Sequence, residues 1–268
     1  MVFISGITGI LVLFAISLIF PFLSFLLPVF KIRKIWKLSL REKWILNGIA
    51  IIAVGVVLPQ LLIFYLGFFG VIEILYWFFS FRETKTFDKI VVIALAASLG
   101  LIAGAAVTLG QLLNNEELVA GIASVLKIDA GQFRAYILAG MNSLPSAMFL
   151  SSIVCVFLTY LFMDASRYLQ WEISYWWLLL YIVPFFLDRF LLKGNYYIVN
   201  TREIGWVIFA VYGMKCIYEA LCFNFDGFRY KWLFQVISVY LSVQLPLAAF
   251  IIGGIGAFDA KLLHFRKK

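Results

Sequence analysis

The chain has 268 residues, of which 64% are hydrophobic and 13% charged, and its mean hydropathy is +1.02. Soluble domains are about 25% charged, so this composition excludes a soluble globular protein and implies an all-α polytopic membrane protein, a bundle of about seven (roughly six to eight) kinked transmembrane helices. The net charge of +8 does not point to nucleic acid, because Lys and Arg cluster between apolar runs and form no stripe interleaved with aromatics.

The first apolar run predicts a span at about residues 4–29. It has no basic segment ahead of it and a basic one behind, so it reads as a retained span and not as a cleaved leader. The segment "KIRKIWKLSLREK" follows, with six Lys and Arg. Residues 44–81 form an apolar region interrupted at Leu58-Pro59-Gln60, which reads as one long broken span or as a hairpin. A single crossing gives seven spans and places both "KIRKIWK" and the tail "HFRKK" on the cytoplasmic side, as the positive-inside rule favours. A hairpin gives eight and moves the tail outside.

Next come the polar "RETKTFDK" and a span at 90–112. An amphipathic connection at 114–141 is too polar to cross. Further spans are expected at 143–163, 172–191, 204–223 and 233–257, all within one integral membrane domain whose C-terminus is cytoplasmic. Small residues at Ala96, Gly100, Gly104 and Thr108 recur every fourth position and mark a helix-packing face. All six prolines fall in or at the edge of apolar runs, where they bend or break helices.

Ionisable groups inside apolar runs are the candidate site. Lys215 lies near the middle of its span, with Glu219 one turn later on the same face. Glu73, in "GVIEILYWFF", has no basic residue three or four positions away. It is expected to meet Lys215 or water, because Lys215 reads as the one basic residue deep in a span. Asn142 and Gln244 lie close to Pro145 and Pro246, where an amide can bond freed carbonyls or a solute. The alternative is that Lys215 and Glu219 neutralise each other and serve only structure.

Chemistry that needs a dedicated constellation is not expected. There is no GxxxxGK[ST] loop and no HExxH, and the single histidine, His264, sits in the basic tail. Cys155, Cys216 and Cys222 fall in apolar stretches without CxxC spacing and read as packing residues. Accordingly no metal, no cofactor and no enzymatic step are expected.

The C-terminal half carries "NSLPSAMFL", "WWLLLYIVPFFL", "YIVN" before "AVYGMK", and a closing "GIGAFDAKLLHFRKK". In that order it resembles the YybS-like bacterial membrane proteins, a family grouped as a domain of unknown function, over about residues 140–268. That family is thought to be distantly similar to the S components of energy-coupling-factor transporters. The resemblance implies a bacterial cytoplasmic-membrane protein that binds or transports a small solute. Besides the lipid bilayer, it would work with an energy-coupling ATPase module or other membrane subunits. The rival expectation is a non-transporting scaffold or assembly subunit.

Overall fold

The structure is a computed structural model and describes residues 2–57, 59–227 and 229–259. Among them every regular element is helical. Four helices among the described residues are long and apolar enough to cross a membrane: Leu61–Ser80, Thr86–Asn114, Leu144–Met163 and Tyr196–Asn224. A fifth is added if the bent pair Lys231–Gln244 and Pro246–Asp259 counts as one span. The chain groups into two units, Met1–Arg82 with Val92–Met163, and Glu83–Val91 with Asp164–Lys268.

In the first unit, α1 (Val2–Ile19) stops before Pro21, which begins a single 3-10 turn, and α2 (Leu26–Lys34) follows. Phe20, just ahead of the proline, leaves the helical region at φ −125°, ψ 82°. The ring of Phe30 covers Gly9, so α2 returns along α1. The run expected as one span at 4–29 is therefore two helices.

α3 (Leu40–Val57) opens with a capping box. The Ser39 N–H and hydroxyl donate to the Glu42 carboxylate at 2.8 and 2.7 Å, and the Glu42 N–H returns a long bond of 3.4 Å to the Ser39 hydroxyl oxygen. The apolar stretch 44–81 then divides into α3 and a second helical run. That run is α4 (Pro59–Phe64), a π-helical segment at Tyr65–Gly70 and α5 (Val71–Ser80).

α6 (Thr86–Asn114) lies against the π-helical segment at one point, where Gly100 meets the backbone of Gly67. A Cβ at Gly100 would collide with that backbone, whereas one at Gly104 would meet nothing within 4 Å. Thr108 is exposed and donates to the Gly104 carbonyl at 2.9 Å, and Ala96 is half-buried. Only part of the small-residue stripe thus makes this close approach. The unit closes with a helical hairpin, α7 (Glu116–Leu126) and α8 (Ala130–Met141), and with α9 (Leu144–Met163).

In the second unit the segment Trp171–Ser174 is clipped to the start of α6. The Phe87 N–H donates to the Glu172 carbonyl at 3.1 Å, and Asp88 accepts from the Ser174 N–H, the Ser174 hydroxyl and Trp177 Nε1 at 2.8, 2.5 and 2.9 Å. α10 (Leu179–Phe190) has 12 residues, about 18 Å of helix, against ~30 Å of hydrocarbon. The span expected at 172–191 is thus shorter than a full crossing. Asp188 pairs with Arg202 at 2.5 Å and accepts from the Gly194 N–H, which fixes the turn into α11 (Tyr196–Asn224).

The expected span 233–257 is broken into α12 (Lys231–Gln244) and α13 (Pro246–Asp259), bent by 114°. Pro246 lacks an amide hydrogen and drives Leu245 to φ −126°, ψ 62°. Glycines let α11 approach its neighbours closely: Gly205 meets the backbone at Leu180 and Tyr181, Gly213 that of Ala249, and Gly253 that of Phe209. The basic tail, with His264, lies outside the described residues.

Gly100→Ala is expected to lower stability in detergent by about 1–3 kcal/mol, because backbone facing backbone cannot yield, while Gly104→Ala leaves it unchanged or raised. Equal effects would contradict the Gly67–Gly100 contact.

The bonds from Ser39 hold the exposed Glu42 carboxyl below the usual carboxylate range. A carboxyl lowered by folding contributes stability above its ordinary value and loses it as pH falls through the lowered one. Amide-exchange protection at Ser39 should therefore drop on acidification, and Glu42→Gln should flatten that dependence. A pH-independent protection in the parent protein would count against the capping box.

Candidate functional site

Lys31 is the most deeply placed cation of the first unit, 3% exposed, and its ammonium pairs with the Glu73 carboxylate, which is 16% exposed. The same ammonium donates a long bond of 3.5 Å to the Tyr65 hydroxyl and stands 5.4 Å from the centre of the Tyr65 ring. Three helical elements contribute one side chain each: α2, the π-helical segment and α5.

The local sequence explains the arrangement. On α2 the buried positions are Leu27, Pro28, Val29, Lys31 and Ile32, and Leu27, Pro28, Lys31 and Ile32, continued by Ile35, share one helical face. Lys31 shares that apolar face while Arg33 and Lys34 point outward. Arg33 donates to the Phe162 carbonyl, one of the last in α9, and the rings of Phe25 and Phe162 stack at 5.0 Å. These contacts fix α2, and hence the Lys31 stem.

Tyr65 begins the π-helical segment and is buried against Phe14, 5.2 Å away and edge-on. The Gly67–Gly100 approach lies two residues later, so packing of the wide turn also sets the tyrosine. Glu73 follows on α5, about 18 Å along the apolar helical run from Leu61. Tyr76, one turn after Glu73, touches Tyr160 and Trp36 at 4.8 and 5.6 Å, which walls the region with aromatic rings.

The sequence-based pairing of Glu73 with Lys215 is corrected by this geometry: Glu73 takes Lys31. Lys215 was read as the one basic residue deep in a span, but Lys31 is buried to the same extent. The missed signal was periodicity. In "LPVFKIRKIWK" the first lysine falls on the apolar face, and the other basic residues do not.

The second unit holds its own pair. Lys215, 2% exposed, bonds Glu219 at 2.5 Å one helical turn away, and its ammonium lies 5.8 Å from the centre of the Tyr212 ring. Cys216 and Tyr212 are buried beside it. In the connecting segment before α10, Tyr168 contacts Tyr218 at 5.1 Å, and burial pushes its phenol above the ordinary range, so it stays protonated. The other two candidates lie elsewhere on the fold. Asn142 is exposed at the α8–α9 junction, and Gln244 is exposed at the last residue of α12, where the 114° bend begins.

Chemically, each pair offers one fixed cation, one fixed anion and an aromatic face. Neither adds a nucleophile activated by a base. No group of three or more His, Cys, Asp and Glu side chains that could hold a metal ion occurs among the described residues. Compared with known proteins, the chain matches no family model, no curated protein and no solved structure.

Breaking a buried pair leaves an uncompensated charge. Lys31→Met and Glu73→Gln are each expected to destabilise by about 3–5 kcal/mol, and the double change Lys31→Met/Glu73→Met to recover most of that loss. Unfolding in detergent checks this, and additive losses in the double variant would contradict a direct pair.

Proposed function

We propose that this chain is a multi-pass protein of the bacterial cytoplasmic membrane that binds or moves a small solute, without a catalytic step of its own. The observation that carries this reading is the Lys31–Glu73 pair beside the hydroxyl of Tyr65, which a π-helical segment of the apolar run Leu61–Ser80 carries. Buried ion pairs contribute little net stability, since desolvation offsets their attraction. Ionisable groups inside a membrane mark solute or ion pathways, and π-helical turns inside helices recur at functional sites. The helix break at Pro21 and the π-helical segment add freed backbone groups suited to line such a path.

The site assigned here is Lys31, Tyr65 and Glu73, with Glu73 the more accessible of the charged pair. Because the sequence carries no ATP-binding loop, movement against a gradient would need an energy-coupling partner, in line with the resemblance to the YybS-like family and the S components. The seven-span arrangement with a cytoplasmic C-terminus belongs to the same proposal.

A scaffold reading has its own support in the second unit. Lys215 and Glu219 neutralise each other within one helix, and glycine contacts press α10 and α13 against α11. The two readings separate in a thermal-shift screen of the purified full chain against vitamins, metal ions and lipids. A ligand-dependent stabilisation lost in Lys31→Met/Glu73→Met but kept in Lys215→Met/Glu219→Met supports solute binding at the first pair. A stabilisation unaffected by either double change overturns the site, and a screen in which nothing stabilises the protein favours the scaffold.

A further inference from the structure

The α7–α8 hairpin carries a surface that the solute reading does not use. On α7, Leu118, Ile122 and Val125 are exposed at 52%, 36% and 81%, at spacings of four and three residues, so they form one stripe. Val119 and Ala123 are buried on a neighbouring stripe. Glu117, Ser124 and Lys127 lie on the side opposite the apolar one, all exposed. A helix with an outward apolar stripe, an inward protein stripe and an opposed polar stripe is built for three environments at once.

Connectivity identifies the apolar environment. One residue, Asn115, joins α7 to the end of α6, and two, Asn142 and Ser143, join α8 to the start of α9. α6 and α9 are both candidate membrane spans, so both ends of the hairpin are tethered close to the bilayer. Its arms of 11 and 12 residues are about 17 and 18 Å long, too short to cross ~30 Å. Arg134 and Glu116, 3.9 Å apart, tie the arms, and Asn115 and Asp129 cap them through bonds to Leu118, Gly131 and Gln132.

We propose that the hairpin lies in the membrane interface, with Leu118, Ile122 and Val125 facing the acyl chains of the bilayer and Ser124 facing water. The charged residues of the hairpin are Glu116, Glu117, Lys127, Asp129 and Arg134, which hold no basic cluster. Insertion therefore rests on apolar contact and does not require anionic lipid.

The three native cysteines are buried, so a single added cysteine can be labelled selectively. Val125→Cys and Ser124→Cys, each in the full chain and carrying an environment-sensitive fluorophore, are compared in bilayers of phosphatidylcholine with brominated acyl chains. Ile122→Cys serves as a second lipid-facing position if Val125→Cys misfolds. The expected result is a blue-shifted label at Val125, quenched severalfold more by acyl-chain bromine than the label at Ser124, with the opposite order for aqueous iodide. Adding phosphatidylglycerol should leave both unchanged. Equal iodide quenching at the two positions, a Val125 label shielded from both quenchers by protein, or insertion only with anionic lipid would overturn the proposal.

Discussion

An ammonium group buried among apolar side chains has to be neutralised, and in this protein that requirement brings together side chains of three helical elements. Lys31 reaches Glu73 with α2 folded back along α1, and Tyr65 on the π-helical segment stands beside the pair. Removing one partner of a buried pair costs about 3–5 kcal/mol, so the pairing constrains how α2 and α5 pack. The Arg33 bond to Phe162 holds the other side of α2 to the end of α9.

The two buried pairs solve the same electrostatic problem with different reach. Lys215 and Glu219 sit one turn apart on a single helix, so their closure asks nothing of other elements. Lys31 and Glu73 are 42 positions apart in sequence, and their contact exists only in the assembled unit. A pair of the second kind can respond to whatever alters the packing of α2 against α5. That difference is why solute binding is assigned to the first unit and a structural role to the second pair.

The long apolar helices at 90–112, 143–163 and 204–223 were legible from hydropathy, because a crossing needs a long uninterrupted apolar helix. The breaks were less legible. Pro21, Pro59 and Pro246 announced an interruption, but hydropathy does not tell a kink from a reversal, so 4–29 and 233–257 were expected as continuous spans. The candidate site was half legible. Glu73, Lys215 and Glu219 stand out against apolar neighbours, whereas Lys31 hides among outward-facing basic residues and Tyr65 among aromatics. Only helical phase separates Lys31 from Arg33 and Lys34, and the π-helical segment has no composition of its own.

The Lys31 ammonium is held against the Glu73 carboxylate, away from the lipid head groups. Solid-state NMR of the protein in lipid bilayers, with nitrogen-labelled lysine and carbon-labelled glutamate, tests it directly through the dipolar contact between Lys31 Nζ and the Glu73 carboxyl carbon. The account predicts a strong contact that Glu73→Gln weakens, and no contact between Nζ and lipid phosphorus. A Lys31 ammonium coupled to head-group phosphorus and exchanging freely with bulk water would contradict it.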